Sequence, residues 1–242
     1  MRVGILTYNV PNRKTQALVS LLALQEKIEI SLHGLPFLLQ PLRAPIYQHR
    51  PEQRVGPEPA SLAAHFGIKY VEVKDPASMA WDFDVGLIGV AGILPAELVA
   101  RGTIINSHPG LLPFVRGLDA FKWAIAEDKP LGCSLHTLDD KIDDGTLLTS
   151  VLTTIFHGDS FAELARRHYE NEVALAANFL RFFLNPQAGD ASPIQGVTEP
   201  GPAHKRMPKE IEETLASRFE EYVNRHATAR EAQRTGLAAG AI

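Results

Sequence analysis

Phe83-Asp84-Val85-Gly86-Leu87-Ile88-Gly89-Val90, then Pro95 to Val99, then Thr103-Ile104-Ile105: these three pieces decide the fold class of the chain. The first is a strongly apolar run ending in small residues, the mark of a strand buried on both faces. Pro95 suits the first position of a short helix, where its missing N–H costs nothing. Thr103 to Ile105 is the next strand. The same alternation runs outward toward the N-terminus. Val3 to Thr7 and Ile28 to Leu32 read as strands flanking a helix from Thr15 to Gln25, which spaces Leu18, Leu21, Leu22 and Leu24 helically. Ala60 to Phe66 is a short helix and Lys69 to Val73 a strand. Such alternation predicts an α/β domain, doubly wound around a mostly parallel sheet. Ligands of these sheets sit beyond the carboxyl ends of the strands, which directs attention to the loops after Leu6, Ile88 and Ile105.

Downstream, Gly117 to Ala126 is expected to be helical. Leu131 to Leu138 and Thr146 to Thr154 are expected as strands joined by an acidic loop, and Phe161 to Phe183 as one long helix. Gly34 to Pro59 is rich in Pro, Arg and Gln and has no sustained periodicity, which favours a functional loop. Asn185 to Pro202 has linker composition, Pro208 to Asn224 reads as a helix, and the end is small-residue rich. The expected division is a catalytic domain over 1–184 and a linker plus helical extension over 185–242. There are no internal repeats.

Of the 242 residues, 45% are hydrophobic and 21% charged, with a formal net charge of −4. That lacks the basic surplus of a protein gripping a nucleic-acid backbone, so no nucleic-acid partner is expected. The single cysteine, Cys133, forbids an internal disulfide and reads as a buried structural thiol. The N-terminus reads as a first strand rather than a signal peptide, and no apolar stretch is long enough for a bilayer. The expectation is a cytoplasmic protein without a membrane partner, with a homodimer left open.

Two segments carry candidate chemistry. In Ile104-Ile105-Asn106-Ser107-His108-Pro109, Asn106 and His108 stand at i and i+2, so extended backbone projects both to one side. An amide can stabilise an oxyanion and an imidazole can move a proton or polarise a carbonyl, as acyl transfer requires. A capped strand end with a polar His is the alternative. In His136-Thr137-Leu138-Asp139-Asp140-Lys141-Ile142-Asp143-Asp144-Gly145, four carboxylates crowd into six residues. One of them could orient His108; an exposed acidic turn, with Gly145 at positive φ, is the alternative. The scattered histidines contain no close ligand pair, so no metal is expected.

Together, Asn106-Ser107-His108-Pro109-Gly110-Leu111-Leu112-Pro113, Arg116-Gly117 and Ile142-Asp143-Asp144-Gly145 resemble the signature of folate-dependent formyltransferases. Phe83 to Leu148 matches closely within a likeness spanning about Met1 to Leu184. The resemblance implies an enzyme that moves a formyl group from N10-formyltetrahydrofolate to a primary amine by direct attack. It implies that Asn106 binds the formyl oxygen, that His108 polarises the carbonyl and takes part in proton transfer, and that Asp143 is the functional carboxylate ahead of Asp144. It also implies that the pteridine lies between Val90-Ala91-Gly92-Ile93-Leu94 and Leu138-Asp139-Asp140.

The acceptor is read from departures within that family. Tyr8 to Thr15 lacks the Gly-rich phosphate loop of the purine-synthesis member, and Arg116-Gly117 is similar to the version in the initiator-tRNA and nucleotide-sugar members. The tRNA member has a further basic C-terminal barrel, whereas the 58 residues after Leu184 have near-balanced charge and a helical look, which argues against tRNA. What remains looks like a sugar N-formyltransferase acting on an amino sugar carried by a nucleotide. Asn9, Arg13, Lys14, Arg50, Arg116 and Gly117 are the expected acceptor contacts. The alternatives are formylation of glycinamide ribonucleotide or an amino acid, a formyltetrahydrofolate hydrolase, and a folate-binding protein without catalysis.

Overall fold

The computed structural model describes residues 1–37, 43–139, 141–185 and 201–228. Seven strands form its main sheet: β1 (Arg2–Tyr8), β2 (Glu29–Leu35), β3 (Lys69–Glu72), β4 (Val85–Val90), β5 (Ile104–His108), β7 (Gly132–Thr137) and β8 (Leu147–Leu152). Their spatial order is β3-β2-β1-β4-β5-β7-β8. The first five are parallel; β7 runs antiparallel to β5, and β8 antiparallel to β7. The sheet is therefore mostly parallel, as the alternation predicts.

Period-two alternation sends successive apolar residues to opposite faces. Ile5, Leu32, Leu87 and Ile105 pack beneath α1 (Arg13–Leu22), α2 (Pro59–Phe66) and α5 (Phe161–Ala177). Leu6, Ile88 and Ile104 face the other way, with Leu98 of α3 (Ala96–Val99). α1 starts at Asn12, whose side chain accepts the Thr15 N–H, and α5 starts in a Ser160–Glu163 capping box. A second apolar cluster joins α4 (Ala120–Ala126), α5 and α8 (Leu215–His226), so the C-terminal helix packs on α4.

Three expected elements differ. The helix expected from Gly117 begins at Ala120, because Arg116–Gly117 forms a short strand, β6, paired in parallel with β9 (Ala203–His204). The helix expected through Phe183 divides at Asn178 into α5 and α6 (Phe179–Leu184). The helix expected over Pro208 to Asn224 is two: α7 (Lys209–Glu212) and α8, separated by Glu213–Thr214. No helix among the described residues is long and apolar enough to cross a membrane.

Candidate active site

β5 ends where the parallel part of the sheet meets its antiparallel part, and the candidate centre lies at that junction. Alternation along β5 separates its last three side chains. Ser107 turns toward α5, where its hydroxyl donates to the Glu172 carbonyl at 2.9 Å. Asn106 and His108 take the other face. Asn106 pairs in register with His136 of β7, and its Nδ2 lies 3.3 Å from His136 Nε2.

The loop after β7 folds back over this face and delivers Asp143. One carboxylate oxygen, Oδ2, stands 3.4 Å from His108 Nδ1; the other, Oδ1, stands 3.5 Å from His136 Nε2. The Gly117 N–H donates to Oδ2 at 2.8 Å. Asp143 holds a left-handed backbone, φ 50°, a conformation tolerated by Asp better than by most residues. The positive φ expected at Gly145 is thus two residues earlier. Gly145 serves close approach instead: a Cβ there would stand 1.8 Å from the Thr137 carbonyl oxygen.

Both rings have defined tautomers. His108 Nε2 lies 3.0 Å from the Val115 carbonyl and His136 Nδ1 2.9 Å from the Thr137 carbonyl. A carbonyl only accepts, so each of these nitrogens carries the proton and donates. The lone pair of His108 Nδ1 therefore faces Asp143, while the single lone pair of His136 Nε2 accepts from the Asn106 amide. Burial lowers both imidazole pKa values, that of His136 to about 4 despite the nearby carboxylate, so both are neutral at neutral pH. Asn106 gives one amide hydrogen to His136 Nε2.

Asp144 points away, 3.5 Å from Arg116 and 3.7 Å from Lys141. Arg116 also donates through Nε and Nη2 to the Ile142 carbonyl, at 3.0 and 2.5 Å. It grips the loop that carries Asp143, and Gly117 contributes its backbone N–H to the same loop.

Lys14 and Arg50, expected as acceptor contacts, are turned inward. Lys14 is 4% exposed and its Nζ lies 3.1 Å from Glu172 Oε1. Arg50 donates to both oxygens of the same carboxylate, at 2.8 and 3.0 Å. Burial would raise the Glu172 pKa, but Arg50 and Lys14 outweigh it and hold the carboxyl at about 2. Neither cation presents itself to an acceptor; together they brace β5 from behind. Arg13 pairs with Glu170, and Asn9 accepts from the Tyr70 hydroxyl at 2.8 Å.

Leu94 and Leu138 pack against the same apolar cluster, Gly92 is exposed, and Ile93 is exposed between them. Val90 ends β4, and Asp139 accepts the Lys141 N–H at 3.0 Å. Asp140 lies outside the described residues. Cys133 is buried beside His168, with its thiol pKa pushed up by desolvation, as a structural thiol should be. Among the described residues, no group of three or more His, Cys, Asp or Glu is arranged to hold a metal ion.

His136 and Glu172 escape the sequence reading. His136 stands within the acidic segment, but only strand pairing shows that it faces Asn106. Glu172 is one of several acids along a helix, and nothing in its spacing marks it as the counter-ion of two distant cations.

The family model described as formyl transferase matches residues 78–180. The phosphoribosylglycinamide formyltransferase of Haemophilus influenzae is 33% identical over 109 residues, covering 44% of this chain and 51% of that protein. The methionyl-tRNA formyltransferase of Chlorobium limicola is 30% identical over 149 residues, covering 56% of this chain and 46% of that protein. The chain spans about half the length of these curated relatives. Among solved structures, a sugar N-formyltransferase from Shewanella sp FDAARGOS_354 superposes with a TM-score of 0.59 at 21% identity, covering 90% of this chain and 87% of that one. The phosphoribosylglycinamide formyltransferase of Anaplasma phagocytophilum gives 0.55 at 24% identity, covering 73% and 83%. These two likenesses concern the fold.

Proposed function

We propose, from the match of residues 78–180 to the family model described as formyl transferase, that the chain is an N-formyltransferase, carrying a formyl group from N10-formyltetrahydrofolate to a primary amine. The observation that carries this reading is the convergence of Asn106, His108, His136 and Asp143 at the β5–β7 junction.

Each group has a task that its geometry supports. The second Asn106 amide hydrogen meets the oxygen that gains negative charge as the amine attacks. A donor preorganised at such an oxygen is worth ~100-fold or more in rate. The attacking nitrogen must also lose a proton. The partly exposed Asp143 carboxylate, with the lone pair of neutral His108 Nδ1 3.4 Å from its Oδ2, is the acceptor for it, and the proton is shared toward His108 Nδ1. The Gly117 N–H and the Arg116 grip on Ile142 keep the carboxylate aimed. His136 orients the Asn106 amide.

The folate donor supplies the activated formyl carbon; as the tetrahedral adduct collapses, the bond from that carbon to N10 breaks, and the proton taken from the amine is returned to N10, which leaves as tetrahydrofolate. The residues present suit a ring with apolar faces and a polar edge: Leu94 and Leu138 pack on one apolar cluster, and the Ile93, Leu118 and Ile142 side chains are exposed. Val90, Gly92 and Asp139 offer polar backbone there.

For the acceptor, we favour an amino sugar carried on a nucleotide. The Tyr8 to Thr15 loop has no glycine, and its Lys14 is buried against Glu172 rather than offered to a phosphate. Glycinamide ribonucleotide is the second reading, favoured by the 33% identity to the Haemophilus influenzae enzyme. The deciding experiment incubates the protein with N10-formyltetrahydrofolate and a panel of nucleoside-diphosphate amino sugars, glycinamide ribonucleotide and amino acids, following folate release. Release with an amino sugar is expected. Release with glycinamide ribonucleotide alone reverses the acceptor, and release with water alone replaces transfer by hydrolysis.

A further inference from the structure

The stretch from Gly201 to Glu212 approaches the candidate centre without contributing a side chain to it. Its backbone is tied to the loop after β5 at several points. Gly201 N–H donates to the Pro113 carbonyl at 2.8 Å, and Leu118 N–H donates to the His204 carbonyl at 2.9 Å. Met207 N–H donates to Asp119 Oδ2 at 3.0 Å. Trp123 Nε1–H donates to the Lys205 carbonyl at 3.0 Å, while its ring stacks on His204 with centroids 4.4 Å apart.

From its other side, the same loop serves the two reactive groups. It offers the Val115 carbonyl to His108 Nε2 at 3.0 Å and the Gly117 N–H to Asp143 at 2.8 Å. The fit between loop and C-terminal stretch is backbone on backbone. A Cβ on Gly201 would stand 2.1 Å from the Phe114 carbonyl oxygen, and one on Gly117, at φ +85°, 2.2 Å from the His204 carbonyl oxygen. At the far end of the stretch, buried Glu212 receives Lys122 at 2.8 Å, Arg43 at 2.5 Å and the Tyr47 N–H at 3.3 Å. It thereby also anchors the segment whose Arg50 holds Glu172 behind Ser107.

We infer that Gly201 to Glu212 is a positioning element of the reactive centre: it holds the Pro113–Asp119 loop so that the His108 proton stays on Nε2 and Asp143 stays aimed at Nδ1. This rests on the reading of His108 and Asp143 given under the proposed function. The physical reason is that a carbonyl fixes a tautomer only while it stays within hydrogen-bond reach. A shift of about 1 Å in a reacting group costs on the order of 100-fold in rate. The C-terminal stretch holds the loop on both sides of that carbonyl, at Pro113 and at Arg116–Leu118.

The test uses the 242-residue chain, its histidines labelled with 15N, and the variants Gly201→Ala and His204→Ala. In the parent, the His108 nitrogen signals should report a proton on Nε2. Gly201→Ala should blur that single-tautomer signature. It should also slow folate release by about tenfold or more, with a nucleoside-diphosphate amino sugar or glycinamide ribonucleotide as acceptor and the KM for N10-formyltetrahydrofolate within about twofold. His204→Ala removes the Trp123 stack without a backbone clash and should give a smaller effect of the same kind. It decides the matter alone if Gly201→Ala does not fold. An unchanged His108 signature in a folded variant overturns the inference. If the parent formylates neither amine, the functional reading fails, and the His108 signature by itself decides whether the C-terminal stretch sets this geometry.

Discussion

Asp143 sits among partners that its neighbours in sequence do not share. Its oxygens meet His108, His136 and the Gly117 N–H, whereas Asp144 meets Arg116 and Lys141 at the surface. Asp143→Ala should therefore lower kcat by ~100-fold or more, as should Asn106→Ala and His108→Ala, with circular dichroism unchanged. Asp144→Ala should cost much less; equal losses at 143 and 144 would count against the assignment of the carboxylate. His136 contacts both Asn106 and Asp143. His136→Ala should lower kcat about tenfold while leaving the donor KM nearly unchanged, because it removes orientation rather than binding. A steady-state comparison of the two constants distinguishes these outcomes.

At the scale of the element, the segment after β2 carries structure through Arg50. Its guanidinium and Lys14 converge on one buried carboxylate, Glu172, from different parts of the chain. Arg50→Ala leaves that charge with half its compensation, and breaking a buried pair costs roughly 3 kcal/mol or more. Urea titration should show a loss of this size. A stable Arg50→Ala protein with weakened acceptor binding would instead restore Arg50 as a direct contact. The Pro- and Arg-rich composition marked this segment as more than a spacer. It could not show that its arginine points into the protein rather than toward a substrate.

For the whole molecule, the buried histidines set an acid limit. Desolvation lowers His33, His136 and His168 to about 4 and His49 to about 3, against an ordinary value of 6.5. Between about 6.5 and 4 the unfolded chain therefore binds more protons than the folded one. Stability should be fully present above 6.5 and fall as the pH drops through that window. Glu172, held at about 2, adds a further loss below its ordinary 4.5. Urea midpoints measured from pH 7 to pH 4 should decline steadily; a flat profile would mean that these rings are not buried neutral. His168→Gln, which keeps polarity at the Thr153 and Pro109 contacts but removes the titrating group, should shallow that decline.

What the sequence determined by itself is whatever short-range pattern encodes. Alternating apolar runs and helical leucine spacing specified the strands and the mostly parallel sheet. The Asn106–His108 interval specified two side chains on one face of β5. The motif order singled out Asp143 among four acids. Tertiary structure decided the rest, because it depends on pairing between distant segments. Only the β5–β7 register brings His136 opposite Asn106. Only the β6–β9 pairing stops the expected helix from starting at Gly117 and frees that N–H for Asp143. Only packing of α1, α5 and the segment after β2 turns Lys14 and Arg50 onto Glu172. A local pattern records which face a residue shares with its neighbours in sequence, but not which remote charge will stand across from it.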